Sequence, residues 1–226
     1  MVLKSAVMPL IREDDRKYLM EEFSKYLASD VDLIIFTSSD PECKYCKETI
    51  KLASEVAEIS DRINLIKYTL EDNVKAAKEF KVNKAPTTIV TRHGSSDGRI
   101  RYSGLPSGYE FGSLIDDLKN VSKWEVDVSS KALDIISKID KPVEIKVYVT
   151  PTCPYCPKAV GTAHKFAILN QNITGEMVQV LEFEKDAEED GVSSVPHIVI
   201  NGEVEFVGAY PDEQFAEYVL EAYNHS

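Results

Sequence analysis

Short blocks of apolar residues follow each other along the chain in an order that occurs twice. Runs that are almost wholly apolar predict buried strands, because neither face of such a segment is polar. These strand-like runs lie at residues 33–36, 65–70, 145–149 and 177–183. Segments with apolar residues at helical spacing lie at residues 14–27, 48–59, 109–118, 130–139 and 212–223. The pattern predicts an α/β fold in which one unit is used twice.

The two copies of the pattern meet near residues 120–129. Residues 124–128 alternate between apolar and polar side chains, which fits either a short strand or an extended linker. A chain of 226 residues is long enough for two domains of about 100 residues, each with its own core. We therefore predict an N-terminal unit of residues 1–121 and a C-terminal unit of residues 122–226.

All four cysteines of the chain lie in two identically spaced motifs, Cys-Lys-Tyr-Cys at residues 43–46 and Cys-Pro-Tyr-Cys at residues 153–156. Each motif follows a predicted strand and precedes a predicted helix. Each is also followed by a proline 43 residues after its first cysteine, Pro86 in one half and Pro196 in the other. The repeat thus carries its cysteines and its proline together.

A cysteine at the start of a helix is more reactive than an ordinary cysteine. Unpaired backbone N–H groups and the positive end of the helix dipole stabilise a thiolate there. A second cysteine three residues later lies on the same helix face and can close or resolve a disulfide. We therefore expect Cys43 and Cys153, at exposed helix starts, to attack disulfides. Cys46 and Cys156 are then expected to resolve the mixed disulfides.

Two other roles for the motifs stay open. Structural zinc sites commonly join two Cys-x-x-Cys pairs within a few tens of residues, whereas 106 residues separate these pairs. A purely structural disulfide is disfavoured, because closing so small a ring removes little chain entropy. We expect no metal site, and a zinc- or disulfide-stabilised binding module stays as the alternative from another class of function.

The duplicated motif and its surroundings resemble the protein disulfide oxidoreductases of thermophilic archaea and bacteria, also called glutaredoxin-like proteins, of the thioredoxin superfamily. The matching segments are residues 104–106, 149–157, 163–168, 195–196 and 208–211. The resemblance runs over almost the whole chain. It implies two tandem thioredoxin-like folds, each a central mixed β-sheet flanked by helices. It also implies an enzyme that reduces, forms or isomerises protein disulfides.

The resemblance assigns a role to the two prolines, because thioredoxin folds place a cis-proline opposite the reactive cysteine. The backbone of Ala85 and of Val195, which precede Pro86 and Pro196, would then face the sulfur. It could pair there with an extended substrate segment by strand addition, which reads main chain and suits many protein substrates. These four residues form the predicted substrate-binding loops.

The residues between the cysteines differ between the two motifs, and we expect them to tune the two sites. Lys44 places a cation beside Cys43, whereas Pro154 stiffens the second motif. Tyr45 and Tyr155 are common to both motifs. We therefore expect two different reduction potentials. The strand before each motif lacks the buried acid that assists proton transfer in thioredoxins, so the proton acceptor is left open.

Charge and composition exclude several classes of function. The formal net charge of −12 argues against nucleic-acid binding, which requires clustered Lys and Arg. No apolar run approaches the roughly 20 residues that cross a bilayer, and residues 1–15 lack the long apolar core of a signal peptide. We expect a cytoplasmic protein without a membrane role. The abundance of Lys and Glu is compatible with a thermophile.

Thiol–disulfide exchange needs no added cofactor, because the cysteine pairs carry the electrons. The expected partners are proteins with disulfides or dithiols. The chain also resembles the N-terminal region of bacterial peroxiredoxin reductases, which joins two thioredoxin units. An electron relay between a thioredoxin reductase-like flavoprotein and a peroxiredoxin is therefore the alternative within enzymes. Such a relay is expected to keep one active pair, whereas this chain has two.

Overall fold

The computed structural model describes residues 9–225, and its two halves repeat one order of elements: helix, strand, helix, strand, short helix, two strands and helix. The helices are α1 (Glu13–Tyr26), α2 (Cys46–Ala57), α3 (Val74–Glu79), α4 (Glu110–Lys123), α5 (Ser130–Ile136), α6 (Cys156–Leu169), α7 (Glu184–Glu189) and α8 (Asp212–His225). The strands are β1 (Val31–Thr37), β2 (Ile63–Thr69), β3 (Thr87–Arg92), β4 (Ile100–Ser103), β5 (Val143–Val149), β6 (Ile173–Gln179), β7 (His197–Ile200) and β8 (Val204–Val207). The predicted α/β duplication is confirmed.

The strands of both halves join one sheet, in the order β2-β1-β3-β4-β6-β5-β7-β8. In each half the first strand pairs in parallel with the second and antiparallel with the third, and the third pairs antiparallel with the fourth. Each half is therefore the mixed sheet that the resemblance implies. A parallel pairing of β4 with β6 joins the halves, with Ile100 opposite Gly175 and Ser103 opposite Val178. The apolar pattern did not predict this continuity.

The strand β6 lies four residues earlier than the apolar run at 177–183 predicts. The early part of the strand contains Gly175 and Glu176, which are buried because β6 lies in the middle of the sheet between β4 and β5. A Cβ atom on Gly175 would lie 2.8 Å from the His164 side chain of α6. Glycine therefore lets the helix approach the strand closely, and this contact hides the strand from a search for apolar residues.

Residues 124–128 form no regular element and are a linker, which decides between the two predicted possibilities. Trp124, with a φ of 54°, ends α4 in the left-handed conformation. The Ser129 side chain accepts a hydrogen bond from the Ala132 N–H at 3.2 Å and begins α5. The predicted boundary between residues 121 and 122 lies in the last turn of α4, and the division into two domains stays a prediction.

The sheet is buried on both faces along its central strands. Leu33 and Ile35 of β1 belong to a large apolar cluster that runs through both halves. Ile34 and Phe36 point to the other face, into a smaller cluster beneath α3. Tyr148 of β5 lies in the corresponding cluster beneath α7. This packing fixes the ends of β1 and β5, where the cysteine motifs begin.

Candidate functional site

Each cysteine motif lies in the turn between a central strand and the following helix. The helices α2 and α6 begin at Cys46 and Cys156, the second cysteine of each motif. We expected Cys43 and Cys153 to open the helices, and this expectation was wrong by one turn. The chain bends at the motif itself, as the hydrogen bond from the Cys46 N–H to the Cys43 carbonyl at 3.5 Å shows. The first cysteine therefore precedes the unpaired amides of the helix start.

Each motif is closed by a disulfide, between Cys43 and Cys46 and between Cys153 and Cys156. Cys46 and Cys156 are buried, with 6% and 0% exposure. Cys43 is half-buried, so the first pair has one accessible and one hidden sulfur. Cys153 is only 7% exposed, and the expectation of an exposed first cysteine was wrong for the second motif.

A loop of the first half lies against the turn that carries Cys153. The Tyr109 N–H donates a hydrogen bond to the Pro151 carbonyl at 3.1 Å. A Cβ atom on Gly108, whose φ is 61°, would lie 2.1 Å from that same carbonyl oxygen. Only glycine fits so close an approach. The two halves thus meet at the second motif, in agreement with the burial of its cysteines.

Backbone N–H groups reach a different sulfur in each pair. In the first motif the Ser38 N–H donates to Cys46 Sγ at 3.3 Å. In the second motif the Cys156 N–H, at the start of α6, donates to Cys153 Sγ at 3.1 Å. An amide at a helix start that points at a sulfur favours the thiolate form. The support that we expected at both first cysteines is therefore observed at Cys153.

The peptide bonds Ala85–Pro86 and Val195–Pro196 are both cis, as the resemblance implies. Each lies immediately before the third strand of its half. The carbonyl of each proline accepts an N–H at 2.9 Å from the glycine that follows the next strand. Within residues 9–225, the backbone groups of Ala85 and Val195 make no hydrogen bond. Both loops therefore present unpaired main chain.

A cavity of about 330 Å³ lies beside Cys43. It is lined by residues 42–45 and 85–86 from the first half and by residues 181–186 from the second. The structure thus brings together the predicted site residues Cys43, Lys44, Tyr45, Ala85 and Pro86. The second half completes this cavity, which the sequence pattern did not indicate.

A longer groove of about 850 Å³ runs between α4 and α6 and reaches the second motif at Pro154. Tyr109 and Lys158 are among its lining residues. Tyr155 projects from the motif and is 70% exposed. Val195 does not line this groove and packs instead against the large apolar cluster that contains both cysteines of the motif. The predicted residues of the second site are therefore less closely assembled than those of the first.

Two buried carboxyl groups near the motifs were missed by the sequence analysis. Glu182, from the second half, lines the cavity beside Cys43 and accepts a hydrogen bond from the Leu105 N–H at 2.8 Å. Glu110, on α4, accepts one from the Ser113 hydroxyl at 2.7 Å. Burial raises the pKa of each carboxyl to about 7. Neither residue lies in the strand before a motif, which is where thioredoxins carry their buried acid.

The contact between α4 and α6 contains a buried polar group of three side chains. His164 Nδ1 lies 2.5 Å from Asp117 Oδ2, and both side chains are almost completely buried. The Tyr102 hydroxyl donates a hydrogen bond to the same carboxylate oxygen. Burial, together with the charge of Asp117, raises the pKa of Tyr102 well above its usual value. His164 therefore packs between the halves and is not directed at a cysteine pair.

Metal binding and membrane insertion each require a particular grouping of residues. Between residues 9 and 225, no group of three or more His, Cys, Asp and Glu side chains is placed to hold a metal ion. All four sulfurs are joined within their own motifs. No helix in this part of the chain is long and apolar enough to cross a membrane.

The chain is similar to several known proteins. The family described as "Thioredoxin domain" matches residues 143–221. A protein disulfide oxidoreductase from Aeropyrum pernix k1 superposes with a TM-score of 0.87 and 32% identity, covering 97% of this chain and 96% of that chain. An alkyl hydroperoxide reductase of Staphylococcus aureus is 25% identical over 189 residues, or 84% of this chain and 34% of the relative. An NADH dehydrogenase of Bacillus subtilis is 26% identical over 194 residues, or 86% of this chain and 35% of the relative.

The chain spans about a third of the length of these two curated relatives, whereas it matches the Aeropyrum protein along nearly the full length of both. That agreement includes both halves of the continuous sheet. Two cysteine pairs at strand ends, each preceding a helix, supply the chemistry. The chain is a thiol–disulfide oxidoreductase and belongs to the family of protein disulfide oxidoreductases in which two thioredoxin folds share one chain.

Proposed function

We propose that both cysteine pairs exchange disulfides with extended segments of protein substrates. The observation that carries this proposal is the unpaired backbone of Ala85 beside Cys43. Ala85 lines the same cavity as Cys43, and its N–H and C=O groups make no hydrogen bond within the described residues. Main-chain groups of this kind pair readily with an extended chain. A substrate disulfide on that chain would lie against the Cys43 sulfur.

The reaction at the first pair proceeds in two steps. The Cys43 thiolate attacks a substrate sulfur, the substrate disulfide breaks, and a mixed disulfide forms. Cys46 then attacks the Cys43 sulfur, which releases the substrate thiol and closes the Cys43–Cys46 disulfide. The reverse sequence donates a disulfide, and neither direction needs a bound cofactor. Cys153 and Cys156 act in the same way at the second pair.

The variant Cys46→Ser is expected to accumulate a covalent adduct between Cys43 and a disulfide-containing peptide, because serine cannot resolve the mixed disulfide. The experiment uses the full chain with Cys153→Ser and Cys156→Ser, so that one pair is observed. Mass spectrometry without reductant measures the adduct. Cys43→Ser in the same background is the matched control and is expected to give none, since Cys46 is buried. An adduct formed equally by both variants would contradict the assigned roles.

We expect the Cys153–Cys156 pair to have the more oxidising reduction potential. The helix-start amide on Cys153 Sγ stabilises the reduced thiolate, and a hydrogen bond to a charged group is worth about 1.5 kcal/mol. This energy corresponds to about 30 mV for a two-electron couple. Lys44 is exposed, so solvent and salt screen its effect on Cys43. Equilibration of single-pair variants with a glutathione buffer measures both potentials, and equal values or the reverse order would refute the assignment.

Electron relay is a second candidate function, favoured by the similarity of 84% of this chain to an alkyl hydroperoxide reductase. A thioredoxin reductase-like flavoprotein would reduce the cysteine pairs, which would in turn reduce a peroxiredoxin. A reducing compartment such as the cytoplasm suits this direction. Peroxide consumption by flavoprotein and peroxiredoxin, with and without the chain, tests the relay. A rate that does not change when the chain is added would exclude it for those partners.

A further inference from the structure

The cavity beside Cys43 contains a carboxyl group that comes from the other half of the chain. Glu182 follows β6 and enters the cavity from the side opposite the cysteine motif. Its Oε1 atom accepts the Leu105 N–H at 2.8 Å. Its Oε2 atom is buried and accepts no hydrogen bond within residues 9–225. One oxygen is therefore anchored, and the other is available for a proton.

Short contacts connect Glu182 to the loop that carries Pro86. A Cβ atom on Gly104 would lie 3.0 Å from Glu182 Oε1, and the Gly104 N–H donates to the Pro86 carbonyl at 2.9 Å. Pro86 in turn lines the cavity together with Cys43. The carboxyl is thus held at a fixed place against the predicted substrate-binding loop.

The charges around Glu182 favour its protonated form near neutral pH. Burial is the main cause of the raised pKa of about 7, and the negative charge of Glu48 in the first turn of α2 adds to it. Glu48 lies two residues after Cys46, so Glu182 faces the start of the helix that carries the resolving cysteine. The other charged side chains that line the cavity are Glu42, Lys44, Glu184, Lys185 and Asp186. A group with a pKa near neutral pH is suited to accept and return a proton there.

The resolving step requires such a group. Cys46 is 6% exposed, and burial disfavours the thiolate that must attack Cys43. The only amide that donates to Cys46 Sγ within the described residues is the Ser38 N–H. The strand β1 supplies Asp32 at its far end, where it is bound to His93, and no acid next to the motif. The first pair therefore needs a proton acceptor from outside its own half.

We propose that Glu182 accepts the Cys46 proton, through water in the cavity, when the mixed disulfide on Cys43 is resolved; this inference rests on the proposed function of the first pair. The Cys46 S–H bond breaks, the proton moves to the carboxylate, and the sulfur bonds to Cys43 Sγ. The bond between Cys43 and the substrate sulfur breaks, and the substrate leaves with the electron pair and takes up a proton. Two sulfurs of the motif are oxidised to a disulfide, and the substrate disulfide is reduced.

The test compares Glu182 with Glu182→Gln in the full chain that carries Cys153→Ser and Cys156→Ser. Glutamine keeps an oxygen that can accept the Leu105 N–H, so the loop contact is retained. The reduced protein is mixed with an aromatic disulfide whose thiolate absorbs visible light, and release of the second thiolate reports the resolving step. The intact chain is expected to resolve faster as the pH rises through about 7, where Glu182 loses its proton.

Glu182→Gln is expected to lose this rise and to resolve about 10-fold more slowly, or slower still, near pH 8. Glu182→Asp is expected to restore part of the rise. Glu189→Gln, an exposed carboxyl change on α7 outside the cavity, is the control and should keep the profile of the parent chain. A Glu182→Gln profile identical to the parent profile would overturn the inference. Absence of any second thiolate from the parent itself would instead refute the proposed function of the first pair.

Discussion

The double variant Cys43→Ser/Cys153→Ser is expected to reduce insulin disulfides no faster than dithiothreitol alone. Each pair then lacks its attacking sulfur, and a serine hydroxyl neither ionises near neutral pH nor forms a disulfide. We expect a loss of at least about 100-fold relative to the intact chain, a small part of what nucleophile loss costs other enzymes. Turbidity from the precipitating insulin chain measures the rate.

The two single variants distinguish the contributions of the pairs. Cys43→Ser is expected to cost more activity than Cys153→Ser, because Cys43 is half-buried beside an open cavity, whereas Cys153 is 7% exposed. Thermal unfolding of each variant controls for loss of fold. Activity that survives in the double variant would place the chemistry at other residues. An inactive intact chain would favour a binding module, or a relay that is too specific to accept insulin.

The sequence was sufficient to predict the features that depend on local pattern. β1 is buried on both faces, so its apolar run was visible without any knowledge of its neighbours. The two motifs and the prolines Pro86 and Pro196 were identified by identical spacing, and the resemblance supplied the cis geometry that the structure contains. Local signals of this kind survive because each is produced by the segment itself.

The features that sequence reasoning missed all depend on contacts between the halves. Gly175 and Glu176 are polar or small residues in a buried strand, because β4 and the helix α6 lie against them. Ser103 of β4 donates a hydrogen bond to the buried Glu176 carboxylate at 2.5 Å, and Lys84 lies 3.1 Å from it. Nothing in either segment alone indicates such a partner. Glu182 was missed for the same reason, since it serves a cavity in the half to which it does not belong.

Glu110 is expected to make the folded protein less stable as the pH rises from about 4.3 to about 7. The carboxyl is 1% exposed, and its Oε1 atom has no hydrogen bond within the described residues. Burial raises its pKa in the folded protein to about 7, whereas an unfolded chain releases this proton at about 4.3. Between these values the folded state holds a proton that the unfolded state has lost, so the free energy of unfolding falls with rising pH.

The variant Glu110→Gln removes this titration and is therefore expected to gain stability relative to the intact chain as the pH rises. The difference in unfolding free energy between variant and parent should increase by about 3 kcal/mol between about pH 4.5 and pH 8, at about 1.36 kcal/mol per pKa unit, and then level off. Urea unfolding with both disulfides closed measures the difference, and any constant cost of the amide cancels. Glu221→Gln, at an exposed position, controls for the loss of one negative charge. A difference that stays constant with pH would show that Glu110 is ionised in the folded protein, and the contact between α4 and α6 would then have to stabilise that charge.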